Sequence, residues 1–284
     1  MQSDVVCVDS SSSSLTATHV IPTRFQVSGV TSLGDDVFVV HFNSQQKIEV
    51  YHAKTFTLQR HITVPDFSGI SFGLAACPQH YCLYAADSNK DSVHRVDLSR
   101  EEAVISWSVG RWPTGLSVNS LLHLLVVSRD ERKLQIFTTH GTLIQNIQLQ
   151  ADIEGPRHAV QLPTGLFLVS HSGSLHRVCL LGADGVMVCS YGGQPGSYLS
   201  QMNYPAGLAV DRAGRVLVAD WLNNRLLVID QSLSSADEMS VSVRGGLDGP
   251  YSLWYDQSRR RLHISEWYGA QVIVIDNLED FRTN

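Results

Sequence analysis

Three short β-type runs occupy one segment of the chain, Asn203-Tyr-Pro-Ala-Gly-Leu-Ala-Val-Asp-Arg-Ala-Gly-Arg-Val-Leu-Val-Ala-Asp-Trp-Leu-Asn-Asn-Arg-Leu-Leu-Val-Ile-Asp230. The runs are Leu208–Val210, Arg215–Ala219 and Leu226–Ile229, and turn-forming residues separate them. A fourth run is expected at Met239–Val243. Four antiparallel strands make one small sheet, which cannot bury both of its faces alone. Such a unit must therefore stack on copies of itself.

Copies of this pattern recur along the whole chain. The residues that open the first strand of each copy form one register: Gly29, Gly73, Gly115, His158, Gly207 and Ser252. The steps between them are 44, 42, 43, 49 and 45 residues. A period in the forties with about four strands per copy is typical of a β-propeller. The sequence therefore predicts an all-β fold, a six-bladed β-propeller of four-stranded antiparallel blades in a single domain, 1–284.

The ends of the chain are predicted to close the ring. The expected blades are 24–64, 65–110, 111–150, 151–192, 203–245 and 247–276. The last of these lacks a fourth strand, and the β-type run Leu15–Ile21 precedes the first blade. This N-terminal run is expected to complete the last blade, which leaves no free sheet edge between the two ends. Residues 4–8 also resemble a strand, but the pattern does not place them in a blade. The serine run at 10–14 is expected to be a loop.

The segment Pro205-x-Gly207…Asp211-x-x-Gly214…Ala219-Asp220-x-x-Asn223-x-Arg225 resembles the NHL repeat. The other copies match it in part: Gln271 and His176 replace the arginine in two of them. The resemblance implies a six-bladed propeller similar to the C-terminal domain of tripartite-motif proteins, within a larger protein. In those proteins ubiquitin ligase activity belongs to a RING domain, which this sequence lacks. A fold of this kind hosts many functions, so the resemblance leaves the chemistry open.

Composition narrows the classes of function. The chain has 284 residues, of which 43% are hydrophobic and 17% are charged, and its net charge is −6. This charge disfavours a surface that binds nucleic acid or anionic membrane throughout. No apolar run is long enough to span a bilayer and no signal peptide is visible, so a cytoplasmic protein without membrane contact is expected.

The five cysteines are too scattered for a zinc knuckle, because no Cys-x-x-Cys occurs. Two pairs are candidates for cross-strand neighbours. Cys77 and Cys82 flank a tight turn, and Cys179 and Cys189 are symmetric about a hairpin. The favoured interpretation is that they are small buried residues with free thiols, since cross-strand Cβ atoms are often too far apart for a relaxed disulfide.

Titratable residues end the second strand of most copies. They are expected to ring one mouth of the central channel: His41, Asp87, His171, Asp220 and Glu266, with Ser128 in the third copy. Carboxylates and imidazoles around one axis can hold a divalent metal, as in six-bladed lactonases and amidating lyases. The competing and favoured interpretation is that each caps its own blade through local hydrogen bonds, with no cofactor. No motif of the lactonases or lyases accompanies these residues.

Large aromatic and basic side chains cluster in the loops of the same predicted face. The candidate binding residues are Arg111, Trp112, Arg129, Arg157, His158, Tyr204, Trp221, Tyr251, Trp267 and Tyr268. Trp, Tyr and Arg dominate the binding energy of protein interfaces. A Gly/Ser-rich insertion, 192–201, accounts for the long step of 49 residues and is either a spacer or a binding loop.

Three functions remain open. The leading hypothesis is a non-catalytic scaffold, monomeric as an isolated domain, that binds a protein or peptide on this face. The second is RNA binding, known for some NHL domains, with aromatic side chains that stack on bases. The third is an axial-metal propeller enzyme of the lactonase or lyase type.

Overall fold

The computed structural model describes residues 15–42, 45–100 and 102–278. The strand-like residues 4–8 and the serine run predicted as a loop lie outside these ranges. No helix in the described parts of the chain has the length and apolar character that a membrane crossing requires.

The structure is an all-β propeller of six four-stranded antiparallel blades. Two short strands come before the first blade: β1 (Leu15–Thr16) and β2 (His19–Pro22). Blade one consists of β3 (Val27–Leu33), β4 (Asp36–His41), β5 (Lys47–His52) and β6 (Leu58–Thr63). Blade two consists of β7 (Leu74–Cys77), β8 (Cys82–Asp87), β9 (Ser92–Asp97) and β10 (Ala103–Ser108). Blade three consists of β11 (Pro113–Val118), β12 (Leu124–Ser128), β13 (Lys133–Phe137) and β14 (Leu143–Gln148).

The second half of the chain repeats this arrangement. Blades four and five are β15 (Pro156–Gln161), β16 (Phe167–Ser172), β17 (His176–Leu181) and β18 (Met187–Gly193); and β19 (Pro205–Val210), β20 (Val216–Asp220), β21 (Arg225–Ile229) and β22 (Ala236–Met239). A 3-10 turn at Trp221–Asn223 joins β20 to β21. The short β23 (Val241–Ser242) follows, and blade six contains β24 (Pro250–Asp256), β25 (Arg261–Glu266) and β26 (Gln271–Ile275).

The ring closes as the sequence predicts. The N-terminal strand β2 pairs antiparallel with β26, with Ile21 opposite Val272, and so becomes the outer strand of blade six. The innermost strand of each blade contacts that of the next, and β24 contacts β3 to complete the circle. Because β2 and β26 lie in one blade, main-chain hydrogen bonds within blade six close the ring.

Three strand boundaries differ from the prediction, and one of them is the start of β19, at Pro205 rather than at Leu208. The expected run Leu15–Ile21 is two strands, because β1 pairs in parallel with β23, in a two-stranded sheet that follows blade five, before the chain crosses to β26. The fourth strand of blade five was expected at Met239–Val243, but β22 begins at Ala236. The Asp230 carboxylate accepts hydrogen bonds from the hydroxyls of Ser234 and Ser235, which closes a tight turn and brings the strand forward.

The core lies between the blades. Within the described ranges, the buried apolar side chains form six clusters, and each cluster joins two neighbouring blades. The cluster between blades six and one contains Ile21 of the closing strand together with Val30 and Val272. A single blade therefore has no core of its own, which is why the repeats must stack.

Glycines of the sequence register let the innermost strands approach one another. A Cβ on Gly115 would lie 2.5 Å from the Arg157 carbonyl oxygen, and one on Gly207 would lie 2.6 Å from the Tyr251 carbonyl oxygen. Both contacts are with backbone, which cannot move aside, so a side chain here would force the blades apart. The repeated glycine thus reflects the narrow centre of the ring.

The two cysteine pairs differ in geometry. Cys77 lies opposite Cys82 across β7 and β8, and both are buried free thiols. In blade four Cys179 lies opposite Ser190, while Cys189 lies opposite Leu180. Because side chains alternate along a strand, this offset of one residue places Cys179 and Cys189 on opposite sides of the sheet.

Candidate functional site

The antiparallel blades divide the loops between two faces of the ring. The aromatic face carries the loops that lead into the innermost strands and the loops that follow the second strands. The turn face carries the turns between the first and second and between the third and fourth strands. A channel of about 1400 Å³ runs along the axis and is ringed at the turn face by residues of all six first turns.

Five titratable residues and Ser128 lie at the ends of the second strands, and each caps its own blade. Each contacts a side chain of the next strand: His41–Glu49 (2.9 Å), Asp87–His94 (3.6 Å), Ser128–Gln135 (3.2 Å), His171–Arg177 (3.1 Å), Asp220–Arg225 (2.8 Å) and Glu266–Gln271 (2.7 Å). The three carboxylates also accept a backbone N–H from the loop that enters their own blade, from Ser68, Asn203 and Asp248 at 2.6–2.8 Å. In each of these three blades, one carboxylate therefore bonds the loop that enters the blade and contacts a side chain of the third strand.

Burial shifts the pKa of three of these groups. It raises the pKa of Asp220 and of Glu266, although hydrogen bonds to each oppose the shift. It also lowers the pKa of His171 to about 4, and the charge of Arg177 acts in the same direction. No group of three or more His, Cys, Asp or Glu side chains is placed to hold a metal ion in the described parts of the chain. The structure does not bring the five axial candidates together as one ligand set.

The aromatic candidates lie in one continuous cluster on the aromatic face. Trp221 is its centre, with ring centroids 5.2 Å from Tyr251, 5.7 Å from Trp267, 6.1 Å from Tyr268 and 5.9 Å from Tyr204. Trp221, Trp267 and Tyr204 are half-buried, and Tyr268 is 54% exposed. Blades five and six therefore present a joined apolar surface that still faces solvent.

Two phenylalanines that were not predicted extend this cluster across the ring. Phe72 stacks on Trp267 at 6.0 Å and also contacts Trp112 at 6.4 Å. Phe42 lies 5.1 Å from both Phe72 and Trp267. The cluster consequently reaches blades one, two and three, and we call these eight residues the aromatic cluster: Phe42, Phe72, Trp112, Tyr204, Trp221, Tyr251, Trp267 and Tyr268.

A pattern in the sequence identifies Phe72 in retrospect. The residues immediately before the register positions are Ser28, Phe72, Thr114, Arg157, Ala206 and Tyr251. Large side chains thus alternate with small ones around the ring. Phe72, Arg157 and Tyr251, from blades two, four and six, line the axial channel and contact the aromatic cluster or belong to it. They form the boundary between the channel and the aromatic face.

The basic candidates occupy the same face, with one exception. Arg157 lies 5.4 Å from the Tyr204 ring centroid, Arg129 follows β12, and Arg111 is exposed before β11. His158 lies in the channel wall instead. Its Nδ1 accepts the Leu208 N–H at 3.2 Å, so Nε2 carries the proton that it donates to the Leu116 carbonyl at 3.1 Å. Burial lowers the pKa of His158, and a neutral ring therefore joins three neighbouring blades.

Two of the aromatic residues have backbone conformations that favour glycine. Trp112 and Tyr204 have φ of 54° and 58°, and each precedes the proline that begins an innermost strand. The equivalent positions in blades four and six are Gly155 and Gly249, with φ of 57° and 69°. A residue with a bulky side chain is strained in this region, whereas glycine is not. Residues with this conformation concentrate at functional sites, and in this chain they also occur in ordinary turns, as at Phe56 and Tyr81.

The insertion after blade four is a fixed loop at the edge of the cluster. Arg225 donates hydrogen bonds to the carbonyl oxygens of Ser197, Tyr198 and Gln201 at 2.9–3.0 Å, while its Nε remains on Asp220. Tyr198 is 77% exposed. The repeat residues of blade five therefore hold this loop so that its aromatic side chain projects into solvent.

Comparisons with known proteins support the repeat and the fold. Residues 202–229 match the model of the NHL repeat. Similar solved structures include catalytically inactive virginiamycin B lyase from Staphylococcus aureus with quinupristin, 12% identical, covering 88% of this chain and 80% of that chain with a TM-score of 0.64. Hydrazine synthase of Kuenenia stuttgartiensis is 14% identical over 96% of this chain and 100% of that chain, with a TM-score of 0.65.

A protein of unknown function from Bacteroides thetaiotaomicron has a TM-score of 0.71 and 13% identity, covering 89% of this chain and 70% of that chain. No significant match to this chain was found among the curated proteins. At these identities the likeness to solved structures concerns the fold alone.

Proposed function

We propose that this propeller is a non-catalytic interaction domain that binds a protein or peptide on its aromatic face. One observation carries the proposal: Trp112 and Tyr204 keep large aromatic side chains in a backbone conformation for which two sister blades use glycine. The backbone conformation alone favours glycine at these positions, so the large side chains are kept for the contacts that they make. Their contacts join both rings to the half-buried aromatic cluster, which forms an apolar surface that a partner can cover.

The composition of the face supports this proposal. Aromatic and arginine side chains in a half-buried central patch are the residues on which protein interfaces depend most. Rings with two or fewer rotatable bonds also lose little conformational entropy on binding. In a longer protein, the domain would recruit a partner for another domain to act upon, as the resemblance to tripartite-motif proteins implies.

RNA is the second candidate partner, because arginines accompany stacked aromatic rings on the same face. The net charge of −6 disfavours it, since RNA affinity comes mainly from contacts with many phosphates. A catalytic role like that of the lyases has less support. The axial carboxylates and imidazoles are each engaged in their own blade.

Selection of random displayed peptides on the purified chain tests the proposal. We expect a shared motif to emerge, and we expect Tyr268→Ala to weaken its binding by about tenfold or more, as for a central aromatic contact. The matched control is Tyr81→Ala, because Tyr81 is 44% exposed in a turn on the opposite face. Equal binding by both variants, or steeply salt-dependent binding of single-stranded RNA without any peptide motif, would refute the proposal.

A further inference from the structure

Positive charge converges beside the axial end of the aromatic cluster. Arg129 and Arg157 are half-buried on blades three and four, across the axis from Tyr251 of blade six. Burial raises the pKa of the Tyr251 phenol, and the charges of Arg157 and Arg129 both act in the opposite direction. Backbone contacts bring the two arginines to adjoining segments: the Arg129 N–H bonds the Trp112 carbonyl oxygen at 3.1 Å, and the Thr114 hydroxyl bonds the carbonyl oxygen of Pro156, next to Arg157, at 3.2 Å.

Several carboxylates on this side of the ring already have partners. Asp91 accepts the Trp112 backbone N–H at 2.8 Å. Glu131 pairs with Lys133 at 3.0 Å, and Asp152 pairs with Arg177 at 2.7 Å. Arg157 donates its Nε–H to the neutral Ser172 hydroxyl at 3.0 Å, and its other contacts are with the neutral side chains of Tyr204 and Tyr251. The local charge of the arginines is consequently left for an acceptor that comes from outside.

We infer that the aromatic face recognises an acidic peptide segment, in which an Asp or Glu side chain binds at Arg129 and Arg157 while its apolar neighbours pack on Trp267, Trp221 and Tyr268. The inference rests on the proposed function and names the chemistry of the partner. A carboxylate matches the planar guanidinium in two parallel hydrogen bonds, and the half-buried setting strengthens them relative to water. The adjoining rings explain why the acidic residue is flanked by apolar ones rather than by further charges.

The number of charges favours a peptide over a nucleic acid. The patch offers two half-buried arginines and the exposed Arg111 on a chain whose net charge is −6. A nucleic-acid surface instead extends positive charge along a run of phosphates. One carboxylate among apolar side chains fits the compact arrangement found here.

Two peptide display libraries test the inference, one complete and one that lacks Asp and Glu. We expect the complete library to yield a motif with an acidic residue at a fixed position, and the other library to yield no binder of similar affinity. Replacing that residue by its amide should weaken binding to the unmodified chain about tenfold or more, as for a charge-assisted hydrogen bond. Arg129→Gln should weaken the acidic peptide similarly and remove the difference between acid and amide.

Arg100→Gln is the matched control, because it removes the same charge from an exposed turn on the opposite face. Arg129→Lys keeps the charge and should retain part of the affinity, and unchanged melting temperatures exclude loss of folding. Binders without an acidic residue that depend on Tyr268 would overturn this inference and leave the proposed function standing. Loss of binding only when the peptide C-terminus is amidated would overturn it in favour of a terminal carboxylate. Binding of RNA alone would overturn both.

Discussion

At the scale of single residues, two turns on the aromatic face combine a backbone conformation that favours glycine with a large aromatic side chain. The loop into each innermost strand turns sharply before a proline, and Gly155 and Gly249 make that turn with positive φ in blades four and six. Trp112 and Tyr204 make the same turn with large side chains. This conformation is about 1–2 kcal/mol less favourable for an L-residue than the right-handed one. The backbone alone would gain stability from glycine at both positions, so the side chains are kept for the contacts that they make in the aromatic cluster.

This strain can be measured at Tyr204. We expect Tyr204→Gly to be more stable than Tyr204→Ala by about 1 kcal/mol, because both variants lose the ring and only glycine relieves the backbone. The ordinary order is the reverse, since glycine increases the entropy of the unfolded chain. Urea unfolding of the two variants gives the comparison. Gly155→Ala is the complementary control, because its Cβ would meet no atom closer than 3.4 Å and φ alone should make it destabilising.

Buried histidines should make the fold sensitive to acid. Burial lowers the pKa of His263 and of His171 to about 4, against an ordinary value of 6.5. Between these values only the unfolded chain takes up the proton, so stability is full above pH 6.5 and falls as the pH drops towards 4. Each group should remove about 2 kcal/mol between pH 7 and pH 5.

His263→Gln isolates one of these contributions. The variant should lose less stability than the unmodified chain between pH 7 and pH 5, measured as the shift in the urea midpoint at each pH. The raised pKa values of Asp220 and Glu266 act in the opposite sense, but they are common to both proteins and cancel in the difference. His140→Gln serves as the control, because His140 lies in an exposed turn. Identical pH profiles for the His263 variant and the unmodified chain would show that His263 is not held neutral.

At the scale of elements, the repeat residues of blade five have acquired a second task. Asp220 and Arg225 form the buried pair that the repeat uses in its own blade, and Arg225 also fixes the inserted loop through three carbonyl oxygens. The sequence pattern placed His176 at the equivalent position in blade four, but this was wrong: Arg177 pairs with His171 as Arg225 pairs with Asp220. Arg177 bonds the neutral imidazole of His171 and the half-exposed Asp152. The two arginines are equally buried, at 9% and 8% exposure, but they differ in the charge that they leave behind.

Replacing each arginine separates these roles. Arg225→Ala leaves the Asp220 carboxylate buried without its cation, and we expect a loss of about 3–5 kcal/mol. Arg177→Ala should cost distinctly less, because no fully buried charge is left unpaired. Hydrogen exchange should also quicken at residues 196–202 in the Arg225 variant only. Equal destabilisation by the two substitutions would mean that the Asp220 pair carries no special weight.

The elements also show what a single sequence can reveal. The first three strands of each blade could be predicted because buried apolar runs alternate with turn residues that bond their own backbone, as in Asp211–Gly214. Outer strands carry a weaker signal: β6 and β14 each bury one residue of six, so their period is hard to recognise. No pattern in the sequence indicates the parallel pairing of β1 with β23. Phe72 escaped because its neighbours around the ring are chemically unlike it, although they share its position.

At the scale of the whole molecule, the ring depends on a strand that is distant in the sequence. Pairing of β2 with β26 joins residues about 250 positions apart, and Ile21 is fully buried between blades six and one. We expect Ile21→Ala to cost about 3 kcal/mol through lost burial and a cavity. Val20→Ala, on the same strand but 38% exposed, should cost well under 1 kcal/mol. Urea unfolding measures both.

The consequence of opening the ring should reach beyond that strand. Once β2 detaches, β26 becomes an unpaired edge, and the cluster that joins blades six and one is exposed to water. Hydrogen exchange in the Ile21→Ala variant should therefore quicken in β26 and in β3 and β4 of blade one, while β13 and β17, on the opposite side of the ring, change less. Exchange that quickened equally in all six blades would show that the propeller opens only as one unit. Exchange confined to β2 would show that closure contributes little to the packing of its neighbours.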